Sequence, residues 1–306
     1  GAGLPGRNVT ILRAYAKYMR QIGSSFSKDY IANTLAHYPD IAKILVSFFN
    51  QRYNPRVRRS NKREETLLNE VKKHLDNVSN LDDDRFIRRY LDLILATTRT
   101  NFYQSDEQGN EKSYASFKML PELIPDMPLP RPKFEIFVYS PRIEGVHLRG
   151  GKVARGGLRW SDRQEDFRTE ILGLVKAQQV KNTVIVPVGA KGGFVCKNLP
   201  LNQGREAFQK EGQACYKIFI RSLLDITDNI VDGNIVHPKE VVRLDEDDAY
   251  LVVAADKGTA TFSDIANGIS EEFNFWLGDA FASGGSIGYD HKKMAITARG
   301  GWESVK

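Results

Sequence analysis

The sequence predicts an all-α helical segment followed by an α/β domain, and three observations predict it. Apolar residues recur at helical spacing through the first hundred positions, a Pro-rich stretch then interrupts the pattern, and afterwards short strand-like runs alternate with helical ones. With 306 residues the chain is long enough for roughly two domains. The expected organisation is a helical segment over 1–106, a connector over 107–132, an α/β domain over 133–280 and a junction over 281–306.

In the first segment Val9, Leu12, Tyr15, Met19 and Ile22 share a helical face, and Gly23 ends it. Ser27 can cap a second helix carrying Ile31 and Leu35, and Pro39 can open a third with Ile41, Ile44, Leu45 and Phe48. Asn54-Pro55 marks a loop, after which Leu67, Leu68, Val71 and Leu75 form another face. Asp82, Asp83 and Asp84 suit the start of the next helix, where negative charge meets the helix dipole. Gly109, Pro121, Pro125, Pro128, Pro130 and Pro132 describe an extended crossing segment. Beyond it, strands are expected at 134–139, 146–148, 183–186 and 250–255. Helices are expected from Ser161 through Gln178 and over about 205–226.

Composition excludes several classes. Hydrophobic residues make up 41% and charged residues 27%, which is ordinary for a globular protein. The net charge of +6 raises nucleic-acid binding, but the 44 basic residues are interspersed with 38 acidic ones, and the one locally basic stretch, 56–63, lacks interleaved aromatics. No uncharged apolar run approaches a membrane span, and residues 1–6 do not form a signal peptide. Two cysteines, Cys196 and Cys215, make neither a disulfide framework nor a metal cluster alone, so a cytoplasmic setting is expected.

Chemistry concentrates in two glycine-rich basic stretches expected to be loops, Arg155-Gly156-Gly157-Leu158-Arg159-Trp160 and Pro187-Val188-Gly189-Ala190-Lys191-Gly192-Gly193. Glycines let a backbone approach a ligand closely, and neighbouring cations suit an anion. Gln178 and Lys181 lie three apart and share a helix face. Lys191 is not a P-loop lysine, because Gly192 follows it where that motif needs Ser or Thr. Singly, each of these also reads as a solvated loop residue.

In this order the stretches resemble the glutamate dehydrogenase family, whose small members carry K-G-G-[LIM]-R-[FY], a helix ending in lysine, and P-x-G-G-A-K-G-G. The wording resembles the large bacterial NAD-dependent branch more closely still, over 131–199, 249–302 and the helical region 12–53. The resemblance implies an α/β substrate-binding domain of the glutamate dehydrogenase type behind an all-α segment. Lys191 then corresponds to the catalytic lysine. Lys181, with Gln178 before it, corresponds to the pair holding the substrate α-carboxylate. Arg155 stands where the small enzymes use lysine for the side-chain carboxylate, with Lys152 and Arg159 as alternatives, and an arginine binds carboxylates with a different, bidentate geometry. Asp264, within the segment DKGTATFSDIAN (256–267), corresponds to the catalytic aspartate, although the Pro-Ala-Gly context is missing. The second stretch has one glycine fewer than the small-enzyme pattern.

The implied substrates are L-glutamate and 2-oxoglutarate, and the implied cofactor is NAD in a full-length homo-oligomeric enzyme of amino-acid catabolism. Two substrate carboxylates need two fixed cations. A lysine that activates water works best partly neutral, which burial and nearby cations favour. No strand–GxGxxG–helix unit is found; Gly284-Gly285-Ser286-Ile287-Gly288 is a poor match that follows Phe281-Ala282-Ser283. The chain is therefore expected to be a fragment that neither binds NAD nor turns over alone. The competing expectation is a non-catalytic scaffold with an anion-binding domain. Convergence of Lys181, Lys191 and Asp264 on one cleft, with Arg155 at its rim, is the discriminating feature.

Overall fold

The computed structural model describes residues 3–181, 188–288 and 292–305. The chain divides into two compact units, 1–131 with 239–246, and 132–238 with 247–306. The expected connector thus falls with the helical unit, which also recruits eight residues from far along the chain.

The first unit contains helices α1 (Gly6–Gln21), α2 (Lys28–His37), α3 (Pro39–Tyr53), α4 (Asn61–Leu75) and α5 (Leu81–Ala96). Their starts follow from side chains that satisfy free amides. Ser27 accepts from the Tyr30 amide, Ser60 from Arg63, and Asn80 from Asp82 and Asp83, while Pro39 opens α3 where no amide is needed. Tyr15, Phe48, Phe49, Tyr53, Phe86 and Tyr90 are sealed in its core. Strands β1 (Thr97–Thr100) and β2 (Ala115–Met119) pair antiparallel, so the expected extended connector holds a fully buried strand. The buried Arg99 and Lys118 both reach Asp245, at 2.6 and 2.5 Å, which ties 239–246 into this unit.

The second unit is a mixed sheet with helices on both faces. Its strands are β3 (Phe134–Tyr139), β4 (Ile143–Arg149), β5 (Arg155–Trp160), β6 (Ala190–Cys196), β9 (Val252–Ala255) and β10 (Ala282–Ser283). They lie in the order β3-β4-β6-β5-β9-β10. The first two pairings are antiparallel and the rest parallel. Strands β7 (Asn229–Val231) and β8 (Asn234–Val236) form a separate hairpin. Helix α6 (Phe167–Lys181) covers one face, where its Ile171 fills the space above Gly193. Helix α7 (Gly204–Leu224) covers the other, where Phe219 fills the space above Gly145. Helices α8 (Ser263–Glu272) and α9 (Ile296–Val305) follow. Among the described residues no helix is long and apolar enough to cross a membrane.

Two expectations change. The glycine-rich stretches are central strands rather than loops over their residues 155–160, which form β5, and 190–193, which open β6. Their glycines permit close approach rather than positive φ. A Cβ on Gly156 would lie 1.4 Å from the Ala190 carbonyl oxygen, and one on Gly192 2.5 Å from Leu158. Helix α6 begins at Phe167, six residues after Ser161, whose hydroxyl instead accepts from the Arg163 amide and donates to Glu170. The expected strand at 183–186 lies outside the described residues.

Candidate functional site

Parallel strands in an α/β sheet present ligands at their C-terminal ends, and β5 and β9 do so here, while β6 contributes from its second residue. Lys191 on β6, Arg159 on β5 and Asp256, the residue directly after β9, meet on the α6 face. Lys191 Nζ donates to Asp256 Oδ2 at 2.8 Å. Arg159 donates to Asp256 Oδ1 at 3.2 Å and to Glu170 Oε1 at 2.8 Å, and Ser161 holds the other Glu170 oxygen at 2.6 Å. All four charged side chains are 15–18% exposed, buried enough to be held and open enough to be reached.

The turn 256–259 aims Asp256. Its amide donates to Thr259 Oγ1, and that hydroxyl donates to the Leu158 carbonyl. Gly258 takes φ +85 against Trp160, so a side chain there would be strained. The Lys257 amide donates to Asp256 Oδ1 at 2.7 Å. Burial alone would raise the Asp256 carboxyl, but the bonds from Lys191, the Lys257 amide and Arg159 outweigh it and hold the group below the ordinary carboxylate value. Glu170 is likewise lowered, burial being overcome by Ser161 and Arg159.

Arg155 and Lys191 come to the same face by register. Arg155 bridges Gly189, and Leu158 pairs with Gly192, so Lys191 sits beside Gly157. Strand spacing then puts the Arg155 and Lys191 Cα atoms about 8 Å apart. Gly157 lies between Arg155 and Arg159, with no side chain to fill the interval. A Cβ there would meet the Ala255 carbonyl at 2.7 Å. Arg155 is exposed and lines a hollow of about 430 Å³ with Tyr250, Asn267, Asp279, Ser283 and Gly285. Gln178 packs against Gly189, the bridge partner of Arg155, and its Oε1 is buried with no hydrogen-bond partner among the described residues. Lys181 closes α6, and its side chain lies outside the described residues. Lys152 sits in the exposed turn before β5, where its carbonyl accepts from Arg149.

The carboxylate that meets Lys191 is Asp256, not Asp264. Asp264 stands in the first turn of α8, where one of its oxygens accepts from the Ser286 amide and hydroxyl at 2.7 and 3.1 Å. Arg159, a candidate for the substrate carboxylate, is engaged by two protein carboxylates. Asp256 was readable as the first residue after a buried strand, the position at which this sheet type places ligands. Local wording favoured the later aspartate instead.

Residues 282–288 also differ from expectation: Ala282 and Ser283 are a strand, short and parallel, and Gly284 follows with φ +87. The Ser286 amide, a natural phosphate donor, is already occupied by the Asp264 carboxylate, whose charge repels an anion.

The description "Bacterial NAD-glutamate dehydrogenase, catalytic domain" matches residues 70–306, and "Glutamate dehydrogenase, helical motif 3" matches residues 1–55. Over its whole length the chain is 63% identical to the NAD-specific glutamate dehydrogenases of Halomonas elongata and Pseudomonas aeruginosa. It is 55% identical to that of Mycobacterium tuberculosis. It spans 19% of the length of each. With the two descriptions together covering most of its length, the chain belongs to the bacterial NAD-glutamate dehydrogenase family.

Proposed function

We propose that the chain is part of an NAD-dependent glutamate dehydrogenase, oxidising L-glutamate to 2-oxoglutarate and ammonia, and that it supplies the glutamate site and the catalytic lysine. The observation that carries this reading is the Lys191–Asp256 pair on a sheet face that also presents Arg155. Arg155 is exposed and suited to a substrate carboxylate, which a guanidinium binds through two parallel bonds. Gln178 and Lys181, at the end of α6, take the second carboxylate. Lys191 holds and moves the proton of the attacking water. Asp256, bonded to Lys191, accepts that proton and returns it to the departing amine.

No step is assigned to NAD on this chain; the nucleotide site belongs to the rest of a longer, cytoplasmic, homo-oligomeric protein. A scaffold has no use for a lysine and an aspartate held together on the ligand-binding face. Glutamate-dependent reduction of NAD by the full-length protein tests the reading. Robust NADH formation that disappears in Lys191→Ala is expected, and its absence from the wild-type protein refutes it.

A further inference from the structure

We infer that Glu170 and Arg159 form a positioning pair that fixes the orientation and charge balance of Asp256, touching no substrate themselves. The inference rests on the roles given above to Lys191 and Asp256. Asp256 divides its oxygens: Oδ2 takes Lys191, while Oδ1 takes Arg159 and the Lys257 amide. The Arg159 fork spans two carboxylates, so it cannot swing to a ligand without leaving Glu170 and Asp256 short of a partner. Glu170 is fixed in turn by Ser161 and by its place on α6, two residues beyond Arg168. Arg168 pins that helix to β3 through two 2.7 Å bonds to Glu135. Carboxylate, guanidinium, carboxylate and ammonium therefore alternate along one chain.

Among the described residues the charged groups facing Asp256 are Lys191 from β6 and Arg159 from β5. Behind Arg159 stands Glu170 from α6, with Arg163 acting on it. Neutralising one member leaves an unbalanced charge on its neighbours. In Glu170→Gln, Arg159 acts on Asp256 undiluted, and the Asp256 carboxyl loses its proton more easily. In Arg159→Gln the support disappears and the carboxyl holds its proton longer. Mere loosening of the site would move both variants upward, toward the ordinary value.

Opposite signs therefore separate a positioning pair from general disorder. The test is a carbon-13 titration of the chain labelled at aspartate side-chain carboxyls, with the Asp256 resonance assigned by its loss in Asp256→Asn. The expected result is a midpoint lowered by about half a unit in Glu170→Gln and raised by at least as much in Arg159→Gln. Glu170→Asp, which keeps the charge, is expected to stay near wild type. In the full-length protein the acidic limb of the kcat profile should follow the same two directions. For Glu170→Gln, kcat should fall about tenfold while the glutamate KM stays within about twofold. Midpoints that rise in both variants, or in neither move, overturn the inference, as does a KM that changes more than kcat. Opposite midpoint shifts in a full-length protein that oxidises no glutamate would uphold the positioning pair and refute the proposed function instead.

Discussion

Glu135, Leu148 and Lys191 form one row across β3, β4 and β6, so two ion pairs of very different character share a face of the sheet. At one end Glu135 meets Arg168 beneath α6, with side chains 0% and 1% exposed. At the other, Lys191 meets Asp256 with both partly open to solvent. The sealed pair has no access to a ligand and serves to hold α6. The open pair is reached by solvent, and further charges, Arg159 and Glu170, balance it. The difference teaches that burial separates two uses of the same chemistry: a sealed charge is costly to disturb but inert, and a half-open one is cheap to disturb but reactive.

The largest expected effect is on chemistry. Lys191→Ala in the full-length protein should lower kcat by about 10²–10⁴-fold, the usual contribution of a positioned proton-transfer group. Glutamate KM should change little. Near-normal turnover in steady-state assays would remove Lys191 from the mechanism and with it the open half of the comparison.

Next comes stability. Arg168→Met leaves the Glu135 carboxylate buried and alone, at a cost of about 3–5 kcal/mol in urea unfolding. Replacing both residues, as Arg168→Met with Glu135→Leu, should recover most of the loss. A double variant as unstable as the single one would mean that the pair does more than fix α6.

The helices were legible because their signals are local. Ser27 and Pro39 mark helix starts by the same chemistry in a peptide as in the fold. Asn80, which caps α5 from just before the acidic run, is an equally local signal. The sheet was less legible. Gly156, Gly157, Gly192 and Gly193 look like loop residues along the chain, and only the neighbouring strands and α6 reveal why side chains are excluded there. The site was half legible for the same reason. Lys191 and Arg155 announce themselves within their glycine stretches, whereas the choice between Asp256 and Asp264 depends on which aspartate the turn after β9 delivers to β6. Glu170 carries no signal in sequence, since its role depends on partners from β5 and from the turn before α6.

A third charge-capable group sharpens the contrast from the opposite face. His147 on β4 is buried, both ring nitrogens lack a hydrogen-bond partner among the described residues, and burial, seconded by Arg149, pushes the imidazole down to about 3. The folded value lies below the unfolded one of about 6.5, so the unfolded chain takes up the proton first. Stability is therefore complete above that pH and declines as pH falls, by about 1.4 kcal/mol per unit until the folded value is reached. Urea unfolding at pH 6.5 and 5 should show a loss of about 2 kcal/mol in the wild type that His147→Leu lacks. Equal slopes in both would mean that His147 finds a partner in solution.

The smallest expected effect on stability is the loss of the Asp256 charge. Its folded value lies below the ordinary carboxylate range, so its contribution is present above about pH 4 and fades as pH falls through the folded value. Because Lys191 and Asp256 are both partly open to water, that contribution is screened and should amount to about 1 kcal/mol. Asp256→Asn should therefore cost about that much at pH 7, measured by urea unfolding, and the two chains should converge once the pH falls below the folded value. Activity should fall far more than stability does. If Asp256→Asn instead cost as much as breaking the Arg168–Glu135 pair, the Lys191–Asp256 contact would be a structural lock, and the division between a sealed charge and a reactive one would fail.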